Sequence, residues 1–502
     1  MSSGVVKDVP TLEPMRYPEQ DPKLASNRFW DLLSIVGPGF IMASVTIGNG
    51  EVFQATRGGA IFGYGLLWTF LFGAIMKASV VYAGGRYIAL TGEHPFARFG
   101  HITPGGRKGG IAQHWFATFL GILSVVCFPA WSVAYILALS QLIPWAFGME
   151  PMLWVGILLS MVAWATIFIP DFSFAERLQG IIVGLLVFFA LIALFTSGAD
   201  WLGVLKGMVP NLNLAYPDWV TSNPDYEGIW GRPVVVEVIA YLGALGGGVY
   251  DYIGYIGTFR EKGWGMLGRT DTVELQYKLQ SLDMGHRVPI AMDEENLKVG
   301  AWGLKAVKID TVVSFTAVAL FALTFMVLGA VVLGDQGLRE VPTSNNIIQA
   351  QANFFTQINP ALMWLYVVAL FSVFWGSQQA LLTAVYPYTF REAFAPAFPK
   401  LADPLVFRKL KLWLSVYILG GAIILALTGV SYTQVISFAG ILGGVFGLGI
   451  WGFMQVYMDK KMLPERLQMK TFMVVLVLIS SAVLLIMGFI ALLGFFGINL
   501  IG

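Results

Sequence analysis

The chain contains the sequences SVTIGNGEVFQAT at positions 44–56 and IAYLGALGGGVYDYIG at positions 239–254. Each lies in a long apolar segment, Ile35–Thr56 or Val234–Phe259, that glycine interrupts near its middle. The interruptions, at 48–50 and 246–248, are five hydrophobic segments apart. Unwound backbone at membrane depth is tolerated only where it lines a cavity or is buried in protein. Such a pair at matching places in two halves of a chain is typical of the binding site of a membrane carrier.

The composition excludes a soluble protein. Of the 502 residues, 57% are hydrophobic and 12% are charged, whereas a soluble surface needs more charge. The uncharged runs Thr311–Gly334 and Phe472–Gly502 exceed the roughly 20 residues that cross a bilayer. A net charge of +1 gives no reason to expect nucleic acid as a partner, and the single Cys127 excludes an intrachain disulfide. The expected environment is the lipid bilayer.

Hydropathy predicts an all-α integral membrane protein of about eleven transmembrane helices. The expected spans are 31–57, 62–90, 112–147, 152–169, 175–197, 234–259, 310–333, 361–386, 412–430, 434–457 and 471–497. They divide as five, five and one, so that a broken helix begins each half, as in an inverted repeat. The predicted parts are an N-terminal segment (1–30), a ten-helix core (31–457) with halves 31–197 and 234–457, a loop (260–309) and an added eleventh helix (471–497).

The positive charges predict the orientation in the membrane. With the N-terminus inside, the outer segments hold only Arg57, Lys206, Arg232 and Arg339 of the 31 lysines and arginines. An excess of lysine and arginine marks cytoplasmic segments. We therefore expect a cytoplasmic N-terminus, a cytoplasmic 260–309 loop and, after eleven crossings, an external C-terminus. The expected location is the cell membrane, which is the inner membrane if the source is bacterial.

The residues at the two breaks are predicted to bind the substrate. Half-helix ends offer unpaired N–H and carbonyl groups there. Glu51 directly follows the first break and Asp251 lies three residues after the second, and an ionisable side chain at this depth indicates function. The candidate substrate-binding residues are Gly48, Asn49, Gly50, Glu51, Gly246, Gly247, Gly248, Tyr250 and Asp251.

Two further ionisable residues lie within spans, Glu237 in the sixth and Lys77 in the second. Together with Glu51 and Asp251, they are the candidates for binding a coupling ion. A structural role is the alternative for Glu237 and Lys77, which can pair with one another.

Other polar residues within spans have two interpretations each. Ser377, Gln378 and Gln379 interrupt the eighth span and can either line the cavity or form hydrogen bonds between helices. Tyr252 and Tyr255 are interpreted as interface or packing residues.

Several motifs are similar to those of a known transporter family. They are GPGF at Gly37–Phe40, FGYGLLW at Phe62–Trp68, Arg86, Thr91-Gly92, FAERLQG at Phe174–Gly180 and the segment Val307–Asp310. In these places the chain resembles the Nramp family of proton-coupled divalent-metal transporters. The resemblance implies the LeuT-type inverted-repeat fold and the uptake of a divalent metal with inward proton movement.

The metal-site residues of that family do not carry over. The first helix of that family normally reads Asp-Pro-Gly-Asn, which aligns with positions 48–51 of this chain. The Met-Pro-His of its sixth helix aligns with 247–249, and a Gln of its tenth helix aligns with Gly440. The acidic pair of its third helix falls on Phe128 and Trp131. A dehydrated transition-metal ion therefore lacks the ligands expected of the family. Glycine in place of larger residues predicts an enlarged pocket.

Two substrate classes stay open at this point. A divalent cation that keeps part of its water shell, as magnesium prefers to, could bind to Glu51 and Asp251, the candidate metal ligands. Alternatively, Gly48–Gly50 resembles the Gly-x-Gly of amino-acid carriers with this fold, so a small polar solute such as an amino acid could fill the pocket. We predict a secondary active transporter coupled to protons or sodium, with no cofactor. An enzyme is not expected, because the spans contain no His-Glu-x-x-His motif or paired catalytic carboxylates.

Overall fold

The computed structural model describes residues 13–26, 28–48, 50–102, 110–169, 172–211, 213–280, 287–343, 346–356, 359–429 and 432–498. These residues are mainly helical, with one isolated bridge between Met15 and Ile290. The main helices of the first half are α1 (Pro38–Thr46), α2 (Ala55–Phe62), α3 (Leu67–Thr91), α4 (Pro95–Ile102), α5 (Trp115–Ala146), α6 (Leu153–Ala165) and α7 (Phe172–Thr196). Those that follow are α8 (Val234–Ala244), α9 (Val249–Lys262), α10 (Thr272–Gln280), α11 (Glu294–Leu328), α12 (Met363–Ala380), α13 (Tyr386–Phe394), α14 (Pro404–Leu427), α15 (Tyr432–Ala439), α16 (Leu448–Met462) and α17 (Thr471–Phe495).

Each predicted span has a helical counterpart among the described residues. Eight of the helices there are long and apolar enough to cross a membrane, and they include the second, third and sixth to eleventh predicted spans. The fourth is a shorter apolar helix, Leu153–Phe168, and the fifth is bent where Gly180–Thr196 meets Trp201–Gly207. The first is divided at its break, so neither piece is long enough alone.

Several predicted boundaries are wrong, and local helix signals explain them. The first span was expected from 31. A short helix, Phe29–Leu33, lies at that position, and α1 begins separately at Pro38, because proline favours the first position of a helix. The seventh was expected from 310, but α11 begins at Glu294, since the Asp293 side chain accepts a hydrogen bond from the N–H of Asn296 and caps the helix. Hydropathy did not detect this start because the first turn is acidic.

The predicted 260–309 loop is therefore largely structured where it is described. Helix α9 continues to Lys262, α10 follows, and the early start of α11 takes up the remainder. The N-terminal segment packs against this region: the N–H of Met15 donates to the carbonyl of Pro289 at 2.9 Å, and that of Tyr17 donates to Asn296 Oδ1 at 2.8 Å.

Apolar surface surrounds the bundle, while its interior holds the broken helices. On α5, Ile122 and Val126 are more than half exposed, and Ile479 and Ile486 of α17 are as exposed. A water-soluble protein rarely exposes contiguous apolar area of this kind, whereas a bilayer covers it. Inside, α3 packs along α11, and α8 packs against the irregular turn at Gly440–Gly447.

Candidate functional site

The first break separates α1 from α2. Helix α1 ends at Thr46, and the chain resumes as a π-helical turn at Gly50–Gln54. A side chain at Gly48 would collide with the Tyr135 ring, whose nearest atom lies 2.5 Å from the position of a Cβ. A Cβ at Gly50 would lie against the backbone of Ala244, beside the second break. Glycine therefore allows the two breaks to touch.

The second break separates α8 from α9. Gly246 and Gly247 have φ angles of +67° and +83°, which side-chain-bearing residues rarely adopt, so the glycines permit this turn. Gly248 then caps α9, and its N–H donates to Asp251 Oδ2 at 2.9 Å. Both predicted breaks are confirmed, and the residues of both are buried wherever they are described. Asn49 lies outside the described residues.

Glu51 connects the breaks directly. Its Oε1 atom accepts a hydrogen bond of 2.5 Å from the N–H of Gly246, and the side chain is fully buried. Its second oxygen, Oε2, has no hydrogen-bond partner among the described residues, and the same holds for Oδ1 of Asp251. Each carboxylate thus uses one oxygen to hold the backbone at the second break and leaves the other without a hydrogen bond among the described residues. The Tyr386 hydroxyl lies near the Asp251 carboxylate.

Lys77 reaches the same break from α3. Its ammonium donates to the carbonyl oxygens of Gly243, Leu245 and Gly247, and it lies close enough to Glu51 and Asp251 for their charges to interact. The site therefore combines two carboxylates with one ammonium.

Glu237 has a different partner from the one considered above. It forms a buried ion pair with Arg57 of α2 at 2.7 Å, and the Tyr241 hydroxyl donates to the same carboxylate at 2.8 Å. The suggested pairing of Glu237 with Lys77 is wrong. The Arg57–Glu237 pair joins α2 to α8 about two turns before the second break, on the side predicted to face outwards.

A second group of polar contacts lies on the opposite side of the breaks. Arg260, about three turns into α9, pairs with Glu392 of α13 at 3.0 Å. Asp310 of α11 accepts a hydrogen bond from the N–H of Gly37 at 2.9 Å and one from the Tyr255 hydroxyl at 2.6 Å. These contacts fasten the start of α1 and the far end of α9 to neighbouring helices.

His94 lies beside this second group, between α3 and α4. Its Nδ1 atom accepts the N–H of Phe96 at 3.2 Å, which leaves Nε2 as the protonated nitrogen, 3.3 Å from the carbonyl oxygen of Ile253. Burial lowers the pKa of His94 to about 4. The ring is therefore neutral near pH 7.

Aromatic rings occupy the space that the glycines provide. Tyr135 fills the position beside Gly48, and the ring of Tyr250 lies against Gly443 of the tenth span. Phe128 stacks on Tyr386 with ring centroids 4.2 Å apart, and Trp131 packs against Tyr250 at 5.7 Å. In this conformation, the expected enlarged pocket is not seen at these positions, because tyrosine rings and close backbone replace the missing side chains.

The polar residues of the eighth span form hydrogen bonds between helices. The Ser377 hydroxyl donates to the carbonyl of Ser44 at 2.6 Å, and Gln378 Nε2 donates to the Ser132 hydroxyl at 2.9 Å. Ser377 thereby holds the last turn of α1 just before the first break. The interhelical interpretation of these residues is the one supported.

Three features of the site were not predicted. The Tyr252 hydroxyl donates to the Gly246 carbonyl at 2.5 Å, and that of Tyr135 donates to the Val45 carbonyl at 2.8 Å. The tenth span is irregular at Gly440–Gly447, where it packs against α8. Four glycines within eight residues were a sequence signal for the irregular segment of the tenth span, whereas nothing local indicated the two tyrosine contacts.

The described residues contain no group of three or more histidine, cysteine, aspartate or glutamate side chains placed to bind a metal. A metal ion at the breaks would therefore rely on Glu51, Asp251, backbone carbonyls and water. Such an oxygen set suits a hard, partly hydrated cation better than a transition metal.

Comparison with models of known protein families found no match, and no curated protein sequence matched the chain. Several solved structures did match. A crystal structure of the Eremococcus coleocola manganese transporter aligns with a TM-score of 0.65 and 14% identity, covering 96% of this chain and 92% of that chain.

Two structures with bound organic molecules align less closely. Mhp1, a nucleobase-cation-symport-1 family transporter with bromovinylhydantoin bound, gives a TM-score of 0.50 at 14% identity, covering 97% of this chain and 93% of that chain. MhsT in complex with L-phenylalanine also gives 0.50 at 14%, covering 91% and 98%. The manganese transporter and Mhp1 are transporters and not enzymes. At such identities the similarity establishes the fold: the chain is an all-α integral membrane protein of the LeuT type, a five-plus-five inverted repeat with broken first and sixth helices.

Proposed function

We propose that this protein is a secondary active transporter that works by alternating access and binds a positively charged cargo between Glu51 and Asp251. The observation that carries the proposal is the pair of buried carboxylates at the breaks, each with one oxygen held by backbone and one without a partner among the described residues. A buried acceptor of this kind is costly unless a donor or a cation reaches it.

The contacts on both sides of the breaks support a carrier rather than a channel. The Arg57–Glu237 pair lies on one side, and the Arg260–Glu392 pair with the Asp310 contacts lies on the other. A carrier needs two such closures, because its site is never open to both sides at once. We propose that Glu237 acts in the outer closure, and that the N-terminus is cytoplasmic and the C-terminus external, as the lysine and arginine distribution indicates.

The first candidate cargo is a divalent metal cation that keeps part of its water shell. Two carboxylate oxygens and the surrounding carbonyls offer hard ligands, and magnesium retains water readily. The fold shared with a manganese transporter is consistent with this cargo. The co-transported ion is a proton or sodium, with Glu51 and Asp251 as the groups that exchange it.

The second candidate is an ammonium-bearing organic solute such as an amino acid, and Lys77 favours it. With all three groups ionised, Glu51, Asp251 and Lys77 carry a formal charge of −1. One ammonium group neutralises this charge, whereas a divalent ion leaves an excess positive charge in a region of low dielectric.

Uptake into proteoliposomes tests the function and separates the candidates. The purified chain is reconstituted and offered a panel of divalent metals and amino acids, with the membrane potential clamped and the external pH set at two values. Uptake of a divalent ion supports the first candidate and uptake of an amino acid the second. Absence of flux for every member of both panels, against a protein-free liposome control, would contradict the proposal. An equal rate at both pH values would exclude the proton as the coupling ion.

A further inference from the structure

The contacts of Lys77 favour one charge state of its side chain. Nζ lies 3.0 Å from the carbonyl oxygen of Gly243, 2.5 Å from that of Leu245 and 2.8 Å from that of Gly247. An ammonium has three N–H donors, whereas a neutral amine has two. Because all three partners can only accept, the contacts favour the ammonium form.

The oxygens around Lys77 resemble a binding site for a monovalent cation. They belong to the C-terminal end of α8 and the unwound turn after it, where unpaired carbonyls and the helix dipole favour positive charge. In carriers with broken helices, unwound carbonyls of this kind coordinate sodium. Glu51 and Asp251 add negative charge nearby. Lys77 itself is fully buried, so its ammonium is surrounded by protein groups and not by water.

We propose that Lys77 is a tethered cation: its ammonium takes the place of a bound alkali-metal ion at the second break, so that transport needs neither sodium nor potassium. The inference rests on the proposed function, in which the two breaks form the transport site, and it selects the proton over sodium as the coupling ion. Lys77 is a positioning residue here, since it holds the carbonyls of the break in place and binds no cargo itself.

The wild-type chain gives the first test. Uptake into proteoliposomes of the divalent metal or amino acid found with the panel above should be equal, within about twofold, in sodium, potassium and N-methyl-D-glucamine buffers, because the site already holds its positive charge. The melting temperature in detergent should likewise not differ among the three salts. A requirement of the wild-type chain for either alkali ion would overturn the proposal.

Two substitutions of Lys77 separate the effect of its charge from the effect of the space that its side chain fills. Lys77→Ala removes both and leaves room for a free ion, whereas Lys77→Met keeps a long side chain without charge. In N-methyl-D-glucamine, we expect both variants to lose uptake about tenfold or more. Sodium or potassium should then restore much of the uptake of Lys77→Ala, but not that of Lys77→Met. Alkali ions should also raise the melting temperature of Lys77→Ala by about 2 °C or more, as a ligand does when it binds the folded state.

Each outcome decides the matter. The proposal is contradicted if Lys77→Ala transports normally without alkali ions, if no salt raises its melting temperature, or if it fails to fold in every salt. In the last case, the emptied site would not accept a free cation. The melting temperatures require no cargo, so a failure to find any transported cargo would reject the proposed function while leaving the alkali-ion result to decide the role of Lys77.

Discussion

The carboxylate of Glu51 accepts a 2.5 Å hydrogen bond from the backbone N–H of Gly246, so the break in the first span is fastened to the break in the sixth. A buried hydrogen bond to a carboxylate therefore joins the two breaks directly. Hydrogen bonds of this type are stronger than those between neutral groups. The second oxygen of Glu51 has no hydrogen-bond partner among the described residues. Glu51 can therefore have two roles: one oxygen holds the breaks together, and the other is available to bind cargo.

Replacing Glu51 with glutamine separates these two roles. The amide oxygen of Glu51→Gln can still accept the N–H of Gly246, so the melting temperature should stay near that of the wild-type chain. The negative charge and the free acceptor are lost, however, so uptake of a cationic cargo should fall about tenfold or more, which corresponds to ~1.4 kcal/mol or more.

The control for this variant is Glu295→Gln, which alters an exposed carboxylate in the first turn of α11. It should leave uptake unchanged. Unchanged uptake by Glu51→Gln itself would show that the cargo is not bound through the charge of this residue.

Gly247 should tolerate no side chain. Its φ of +83° is unfavourable for alanine, and a Cβ would lie 2.8 Å from the Thr46 methyl group and even closer to the Asp251 carboxylate. We expect Gly247→Ala to lower the free energy of unfolding by about 1–3 kcal/mol. Thermal unfolding in detergent measures the effect.

Gly184 provides the matched control. It lies within α7, where, apart from the backbone of its own helix, the described residues place no heavy atom within 4 Å of the position of a Cβ, and its φ is not positive. Gly184→Ala should therefore be neutral or stabilise the helix by up to about 1 kcal/mol. Equal melting temperatures for the Gly247 and Gly184 variants would mean that the turn at the second break imposes no strain.

The sequence predicted the breaks but not the partners of the charged residues around them. Glycine within an apolar segment is a local signal, and it placed both interruptions correctly. The partners of Lys77 are backbone carbonyls 166 to 170 residues away in sequence, and hydropathy carries no information about such a contact. Arg57 was assigned to an external segment because charge normally ends a span. In the structure it is buried and paired with Glu237.

The lack of information about distant contacts also explains why the expected enlarged pocket is not seen at these positions. A count of missing side chains cannot show which neighbouring ring fills the space: Tyr135 lies on α5, whereas Gly48 lies in the first break. The start of α11 was missed for the opposite reason. Its signal, Asp293 followed by two glutamates, is local but polar, and a method based on apolar runs ignores it.

His94 should make stability depend on pH. Burial lowers its pKa to about 4, below the ~6.5 of an unfolded chain, so the unfolded state binds a proton first as the pH falls. The folded state is therefore fully favoured above pH ~6.5 and loses up to about 3 kcal/mol between pH ~6.5 and ~4 through this residue. A measurement of unfolding free energy at pH 7.5 and pH 5 would show a decrease.

The variant His94→Gln isolates this contribution. Its amide can donate to the Ile253 carbonyl but does not titrate, so the decrease between pH 7.5 and pH 5 should be smaller than in the wild-type chain. Carboxylates elsewhere titrate in both proteins and cancel in the comparison. An identical pH dependence for the two proteins would be incompatible with a buried neutral imidazole at this position.

The pair formed by Arg57 and Glu237 should behave as a coupled unit. Both side chains are buried, so removing one partner leaves an uncompensated charge and is expected to destabilise the chain by about 3–5 kcal/mol. Arg57→Met and Glu237→Gln alone should thus each lower the melting temperature markedly. The double variant should be destabilised by less than the sum of the two, with a coupling energy above ~1 kcal/mol.

The same variants separate an outer closure from a coupling role for Glu237. If the pair only holds α2 against α8, the double variant keeps the pH dependence of uptake and changes its rate, because the closure opens more easily. If Glu237 exchanges a proton during transport, Glu237→Gln abolishes the pH dependence while uptake itself continues. Since the carboxylate is engaged by Arg57 and by the hydroxyl of Tyr241, we expect the first result.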